Sequence, residues 1–266
     1  MSNNKKLYKP AAPELQYGFR PNLFLWPNRT LFFGPLQHLQ FHAMGTVAIN
    51  TGLYQPFQMK PFNGSYQSYR CALIPVGCKH ELNAGGNIVA CLLIEKNSPD
   101  FARFNTQLPW QASTITRLPD TQWVSCFQKI YEEKLSKEEI NKLINQLLDT
   151  DDAAINIVDP RIGSILHLIK NDPGNDFSQD YLAASVGLSA SRFRHLFKEY
   201  SDIPYRRYRM WRRLISAMET LHKIDNLTYA ALEAGFTDSA HFNRCFRDTL
   251  GVNPSLVFRN LDRFEI

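Results

Sequence analysis

Between residues 182 and 255 the chain repeats itself, and the repeat restricts the fold more than any other feature. Leu182-Ala183-Ala184-Ser185-Val186-Gly187-Leu188-Ser189 returns as Ala230-Ala231-Leu232-Glu233-Ala234-Gly235-Phe236-Thr237, so that Ala183 and Ala231, like Gly187 and Gly235, stand 48 residues apart. After one inserted residue the match resumes at a spacing of 49, with Phe193, Phe197 and Lys198 answering to Phe242, Phe246 and Arg247. The copies close alike, on Ser201-Asp202-Ile203-Pro204 and Gly251-Val252-Asn253-Pro254. Each copy is therefore one structural unit.

The residue types say what unit. A small residue four places before a glycine lets a second helix cross close to the first, and the glycine can take the left-handed conformation that ends a helix and turns the chain. That is helix-turn-helix geometry. Ser189 in the first copy, and Asp238 or Thr237 in the second, are suited to cap the following helix. Its buried face is expected at Phe193, Leu196, Phe197 and Tyr200, then at Phe242, Cys245 and Phe246. The opposite faces carry Ser191, Arg192, Arg194, His195 and Lys198 in one copy, and Ser239, His241, Asn243, Arg244 and Arg247 in the other. Arginine pairs with guanine O6 and N7, asparagine with adenine N6 and N7, and the remaining cations meet phosphates. A charged helix face is ordinarily just solvated. Two copies equipped alike on the same side favour a nucleic-acid partner.

The charge distribution agrees. The whole chain carries a net +5, which by itself says little. Residues 189–213 hold eight basic side chains against two acidic ones, which leaves the other 241 residues at −1. Between the modules, residues 205–224 read as one long helix with Tyr208, Trp211, Leu214, Ile215, Met218 and Leu221 on its apolar line. About 20 residues of helix span about 30 Å, close to the roughly 34 Å between successive major grooves on one side of a duplex. Arg206, Arg207 and Arg209 near its start are candidates for phosphate contact, with a structural or merely solvated role the alternative for one or two of them.

These residues resemble the DNA-binding domain of the AraC/XylS family of bacterial transcription regulators. The second module, Ala231 to Arg247 followed by Gly251-Val252-Asn253-Pro254-Ser255, carries the likeness most strongly, and it extends over about Pro160 to Arg259. It implies base contacts from Ser191, Arg194 and His195 on the first recognition helix and from Ser239, His241, Asn243 and Arg244 on the second. Arg192, Lys198, Arg206, Arg207 and Arg247 are then expected on phosphates. Asp202 departs from the pattern, standing where many members have glycine. The likeness also implies double-stranded DNA as partner, RNA polymerase if the protein activates, a homodimer, and a small-molecule effector whose identity and site the sequence leaves unknown.

Upstream the texture differs. From about Leu31 to Ile94, short apolar segments at Thr30–Phe33, Phe41–Asn50, Tyr66–Ile74 and Asn87–Ile94 are broken by glycine and proline, a cadence of strands and tight turns. Ala84-Gly85-Gly86-Asn87 reads as a hairpin turn. After Pro119 the period changes. Asp120 is the expected cap of a helix with Trp123, Cys126, Phe127, Ile130 and Tyr131 on one side; Ser136 and Glu139 form a capping box for a second, striped by Ile140, Leu143, Ile144 and Leu147. That stripe serves either self-association or packing on the neighbouring helix. Pro160 then opens the first of seven helices, everything after it reading as helical, and Ile74-Pro75-Val76-Gly77-Cys78-Lys79-His80 resembles the turn of a cupin-type sandwich. The expected fold is α+β: a cupin-like β-sandwich over 1–118, a helical pair and linker over 119–158, and an all-α domain over 159–266 holding two helix-turn-helix motifs.

Three classes are set aside. No apolar run approaches the roughly 18 residues needed to span a bilayer, and no secretory h-region follows Lys5-Lys6, so the expected location is cytoplasmic. Five cysteines without a Cys-x-x-Cys pair suggest reduced thiols and no zinc site. An enzyme, such as a metal-dependent cupin with a DNA-binding tail, lacks its signatures: there is no His-x-His pair, no Gly-x-Ser-x-Gly, and no cofactor motif. His38 and His42, on one strand, would lie on one side about 13 Å apart. The remaining rival is a DNA-binding factor without a ligand, whose sandwich only dimerises, since Phe32, Phe33, Phe41, Phe57 and Phe62 can fill a core as readily as line a pocket.

Overall fold

The computed structural model describes residues 21–105, 114–148, 159–258 and 261–266. Two sheets face each other in the first part of the chain. The larger runs β10 (Thr116–Arg117), β7 (Cys71–Ile74), β4 (Val47–Gly52), β9 (Ile88–Ile94), β2 (Arg29–Pro35), β1 (Asn22–Trp26) and β11 (Arg263–Glu265), and the smaller β3 (His38–His42), β8 (His80–Asn83), β5 (Phe57–Pro61) and β6 (Gln67–Tyr69). A short α1 (Pro99–Asn105) precedes the helical pair α2 (Asp120–Glu132) and α3 (Lys137–Leu147).

The alternation of side chains along β4 and β9 explains how these layers stack. Val47, Ile49, Ala90, Leu92 and Ile94 point into one core with Trp123 and Phe127 of α2 and Ile140 and Ile144 of α3. Ala48, Val89 and Leu93 point the other way, into a second core shared with the smaller sheet and with the helices that follow. Every residue of β4 is buried because both its faces are covered.

The helical domain comprises α4 (Pro160–Asn171), α5 (Gln179–Ser185), α6 (Ala190–Ser201), α7 (Tyr205–Ile224), α8 (Leu227–Glu233), α9 (Ser239–Leu250) and α10 (Pro254–Phe258). These are the seven helices expected, and the two copies of the repeat are α5–α6 and α8–α9. Asp159 caps α4 by accepting from the Arg161 N–H, with Pro160 in the first turn, and the Ser136–Glu139 capping box opens α3.

Several expectations need correction. The cap of α2 is Pro119, which makes no side-chain cap bond, and Asp120 lies in the first turn, where its charge still opposes the helix dipole. The segment Phe41–Asn50 is not one strand: it leaves the smaller sheet at His42 and enters the larger at Val47. Between them Gly45 lies so close to α7 that a Cβ there would stand 3.0 Å from Trp211 Cβ. Likewise Tyr66–Ile74 divides at Arg70, β6 and β7 belonging to different sheets. The turn Ala84–Asn87, closed by an Asn87 N–H to Ala84 O bond with Gly85 and Gly86 at positive φ, passes the chain from one sheet to the other rather than forming a hairpin within one. His38 and His42 do not share a side, because the register between β3 and β8 shifts between Leu39 and His42, leaving His38 exposed and His42 buried. Finally, the chain after Pro160 is not wholly helical. Residues 263–265 form β11, parallel to β1, and so return to the first part of the molecule. The domain boundary expected between 149 and 159 falls largely on 149–158, outside the described residues.

The stripe on α3 lies against the core of the first part of the chain. Ile140 and Ile144 are fully buried, and Leu143 and Leu147 pack half-buried against the same core. No disulfide links any of the five cysteines. No described helix is long and apolar enough to cross a membrane.

Candidate nucleic-acid interface and the seam behind it

Both modules are built from local rules. Ser189 accepts from the Arg192 N–H at 3.2 Å and Asp238 from the His241 N–H at 2.7 Å, so each second helix starts on a side-chain cap, a contact worth about 1 kcal/mol. The turn glycines have φ of 67° at Gly187 and 81° at Gly235. At Gly235 the constraint is double, since a Cβ would also meet Gly174 O at 2.4 Å. Phe193, Leu196 and Phe197 of α6 and Phe242 and Phe246 of α9 are buried, whereas Tyr200 and Cys245, expected with them, are only half-buried.

The opposite faces are open. Ser191, Arg192, Arg194, His195 and Lys198 on α6, and Asn243, Arg244 and Arg247 on α9, are exposed; Ser239 and His241 are half-exposed. His241 turns back on its own cap, its Nδ1 lying 3.1 Å from Thr237 Oγ1 and its ring edge-on to Phe236. His195 lies 3.7 Å from Glu199 one turn on. The connector occupies Tyr205–Ile224 as expected, and its whole apolar line is buried.

The basic residues of 206–213 divide into two groups. Arg206 and Arg207 are exposed. Arg209 pairs with Asp176, and Arg213 donates to the carbonyls of Pro173 and Gly174 beside the turn of the second module. Burial lowers the pKa of both Arg209 and Arg213 from the ordinary value. Arg212 is buried and pairs with Glu95, at the end of β9. Three of the eight cations counted in the sequence thus hold the fold rather than face outward.

Behind the open faces, the sandwich grips α6 and α9 at their C-terminal ends. The C-cap of α6 is Asp202, a left-handed residue at φ 60° where the second copy has Gly251 at 74°. Aspartate tolerates that conformation better than most side chains do, and here its carboxylate also pairs with Lys96 of the sandwich. Gly251 lies against β3, with the position of a Cβ 2.6 Å from His42 Nδ1 and 3.0 Å from Leu39 Cβ.

His42 in turn faces His80 across the smaller sheet, ring centroids 4.4 Å apart. Each Nδ1 is satisfied by a backbone carbonyl, Gln40 O and Cys78 O. Burial pushes both rings below the usual histidine range, His80 to about 3, with the neighbouring His42 adding to the effect. Among the described residues no group of three or more His, Cys, Asp or Glu is placed to hold a metal.

The seam holds a partly open apolar cavity of about 70 Å³. Phe32, Leu39, Met44 and Leu93 line it from the sandwich, and Trp211 and Met218 of α7 with Phe246 and Leu250 of α9 from the helices. Sequence reasoning missed this site because its walls come from segments that only the tertiary fold brings together. Of the phenylalanines left open between core and pocket, Phe33 and Phe57 are core, Phe32 lines the cavity, and Phe62 is 53% exposed.

With this geometry in place, comparison with known proteins is informative. A family model described as "Helix-turn-helix domain" matches residues 182–260, both copies of the repeat. The chain is 27% identical over 119 residues to the HTH-type transcriptional activator RhaS of Escherichia fergusonii, a stretch covering 44% of this chain and 41% of that protein. Over its C-terminal part the chain is thus similar to helix-turn-helix transcription regulators. It is also similar to the HTH-type transcriptional regulator GbdR of Pseudomonas aeruginosa, 28% identical over 96 residues, 36% of this chain and 26% of that one. The chain thus spans less than half the length of these relatives. In overall fold it is similar to ToxT from Vibrio cholerae, with a TM-score of 0.57 at 12% identity over 88% of this chain and 99% of that one. A structure described as unsaturated fatty acid bound ToxT superposes equally, at 13% identity over 91% and 98% of the two chains. At such identity the likeness concerns fold: a cupin-like sandwich joined to a helical domain with two helix-turn-helix motifs.

Proposed function

We propose that this chain is a sequence-specific DNA-binding transcription regulator that places α6 and α9 in two adjacent major grooves and answers to a small molecule held at the seam. The observation that carries the reading is the pair of capped helices with exposed basic and short polar faces, joined by one 20-residue helix whose apolar line is buried. Ser191, Arg194 and His195 would meet bases in one groove, and Ser239, His241, Asn243 and Arg244 in the other, once His241 releases Thr237. Arg192, Lys198, Arg206, Arg207 and Arg247 would meet phosphates. The regulator names of its relatives support the class. The location of the cavity supports the response, since a molecule there would touch the connector, the second reader and the sandwich at once. A second copy and RNA polymerase are the further partners of this reading.

Selection of duplexes from a random pool by the full chain tests it. The expected product is a site with two elements about 10 base pairs apart, bound with an affinity that falls steeply with salt. No enriched sequence, or a flat salt response, would overturn the assignment.

A further inference from the structure

Asn50 lies at the centre of the larger sheet, 3% exposed, and its side chain lines the seam cavity. Its Oδ1 is buried without a hydrogen-bond partner. A buried amide left unsatisfied is costly, so such an atom beside an empty space points to what belongs there. The other polar residues on the wall are Thr30, His42 and Cys91. Each is uncharged near neutral pH: burial keeps the His42 ring below the usual histidine range and pushes the Cys91 thiol up to about 12. No Lys, Arg, Asp or Glu is among the described residues lining the cavity. A carboxylate placed there would be desolvated with no cation to meet it, which is strongly unfavourable.

We infer that the seam cavity binds a compact, neutral, mostly apolar molecule carrying one hydroxyl group, a phenol or a short aliphatic alcohol, and that it discriminates against carboxylates. This rests on the reading of the cavity as the effector site and adds the chemical class of the effector. The hydroxyl suits Asn50 in either orientation of the amide, donating to Oδ1 or accepting from the Nδ2 group. Size follows from volume. A water needs about 10–15 Å³ on the same scale and an apolar cavity of about 150 Å³ holds benzene, so the 70 Å³ space takes a short chain or a single ring only if its walls move enough to about double it. Met44 and Met218, on opposite sides of the seam, are the unbranched, adaptable side chains that permit it. An occupant bridges Asn50 of β4, Trp211 of α7 and Phe246 of α9, so it favours the docked arrangement of sandwich and readers, and DNA must in return alter the affinity for it.

Thermal denaturation of the full chain with matched probes tests the inference: 4-methylphenol, p-xylene and 4-methylbenzoate, with hexan-1-ol and hexanoate as a second set. At tenfold excess over Kd the phenol and the alcohol are expected to raise the midpoint by about 3 °C. p-Xylene should do less, and the two carboxylates nothing. Asn50→Leu should bring 4-methylphenol and p-xylene to equal shifts, and Met218→Phe, which fills the space, should abolish both. Carboxylates as effective as the hydroxyl probes would overturn the chemical class while leaving the cavity as the effector site. Shifts that persist unchanged in both variants, or no shift with any probe, would remove the cavity from both readings. Should Met218→Phe not fold, the ratio of phenol to xylene shift in Asn50→Leu still decides.

Discussion

Glu95, at the end of β9, accepts a hydrogen bond from Arg212 in the middle of α7, and the two form an ion pair closed off from solvent, with side-chain exposures of 12% and 5%. The same carboxylate accepts from the indole N–H of Trp211 at 3.3 Å, and the next residue, Lys96, pairs with the C-cap of α6. Two consecutive residues of the sandwich thus hold α7 and the end of α6. Removing one partner leaves the other charge buried and unpaired. Glu95→Ala is therefore expected to destabilise the chain by about 3–5 kcal/mol, and Glu95→Leu combined with Arg212→Met to restore most of the loss. Denaturant unfolding of the single and double variants measures both, and a double variant no better than the single would mean that the pair orients rather than stabilises.

The open faces separate reading from clamping. Asn243→Ala and Arg244→Ala are each expected to cost about 1–3 kcal/mol on the preferred site and to relax its sequence preference, while Arg247→Ala weakens all duplexes alike and lowers the salt slope by about 1. Binding selections with the three variants make the comparison. Identical preferences in all three would remove α9 from the bases.

Acid should loosen the seam. His42 and His80 are neutral in the folded chain, with pKa values below those of the unfolded chain. Below about pH 6.5 the unfolded chain takes up protons that the native one does not. The stabilisation is thus complete above that pH and is lost as pH falls toward about 3, the folded value of His80, at about 1.4 kcal/mol per pH unit for each proton taken up only on unfolding. The groove beside His42 carries Lys79, Arg206 and Arg207 against Asp248, a balance that further opposes charging the ring. His80→Phe should flatten the fall in stability between pH 7 and pH 5. Parallel curves for variant and parent would assign the acid response elsewhere.

On α3, Leu143 is half-buried against the core that holds Ile140 and Ile144. Leu143→Glu is accordingly expected to lower the stability of the sandwich by about 1–3 kcal/mol by putting a carboxylate against apolar walls. Circular dichroism with light scattering checks this. A fully stable monomer from a dimeric parent would instead make Leu143 an interface residue.

What the sequence made legible was what neighbours along the chain decide. Ser189 and Asp238 cap helices, Gly187 and Gly235 turn them, and the stripe from Tyr208 to Leu221 keeps a period of 3.6, all within a few residues of one another. The seam has no such local signature. Glu95 and Arg212 lie 117 positions apart, and an arginine reads the same whether it faces water or a buried carboxylate, so Arg212 and Arg213 were counted with the exposed charge. The bulge beside His42 depends on the partner strand β8, and Arg263-Phe264-Glu265 is too short for any period to announce β11. Asn50 sits among Val47, Ala48 and Ile49 as an ordinary polar interruption until the empty space beside it is known.

That last strand bears on how the molecule can move. The helical domain follows the sandwich through one stretch of chain, and β11 fastens its far end back to β1 through the pairs Asn22–Arg263, Leu23–Phe264 and Phe24–Glu265. Any wide separation of the sandwich from the helical domain must therefore break the β1–β11 pairing as well as the seam.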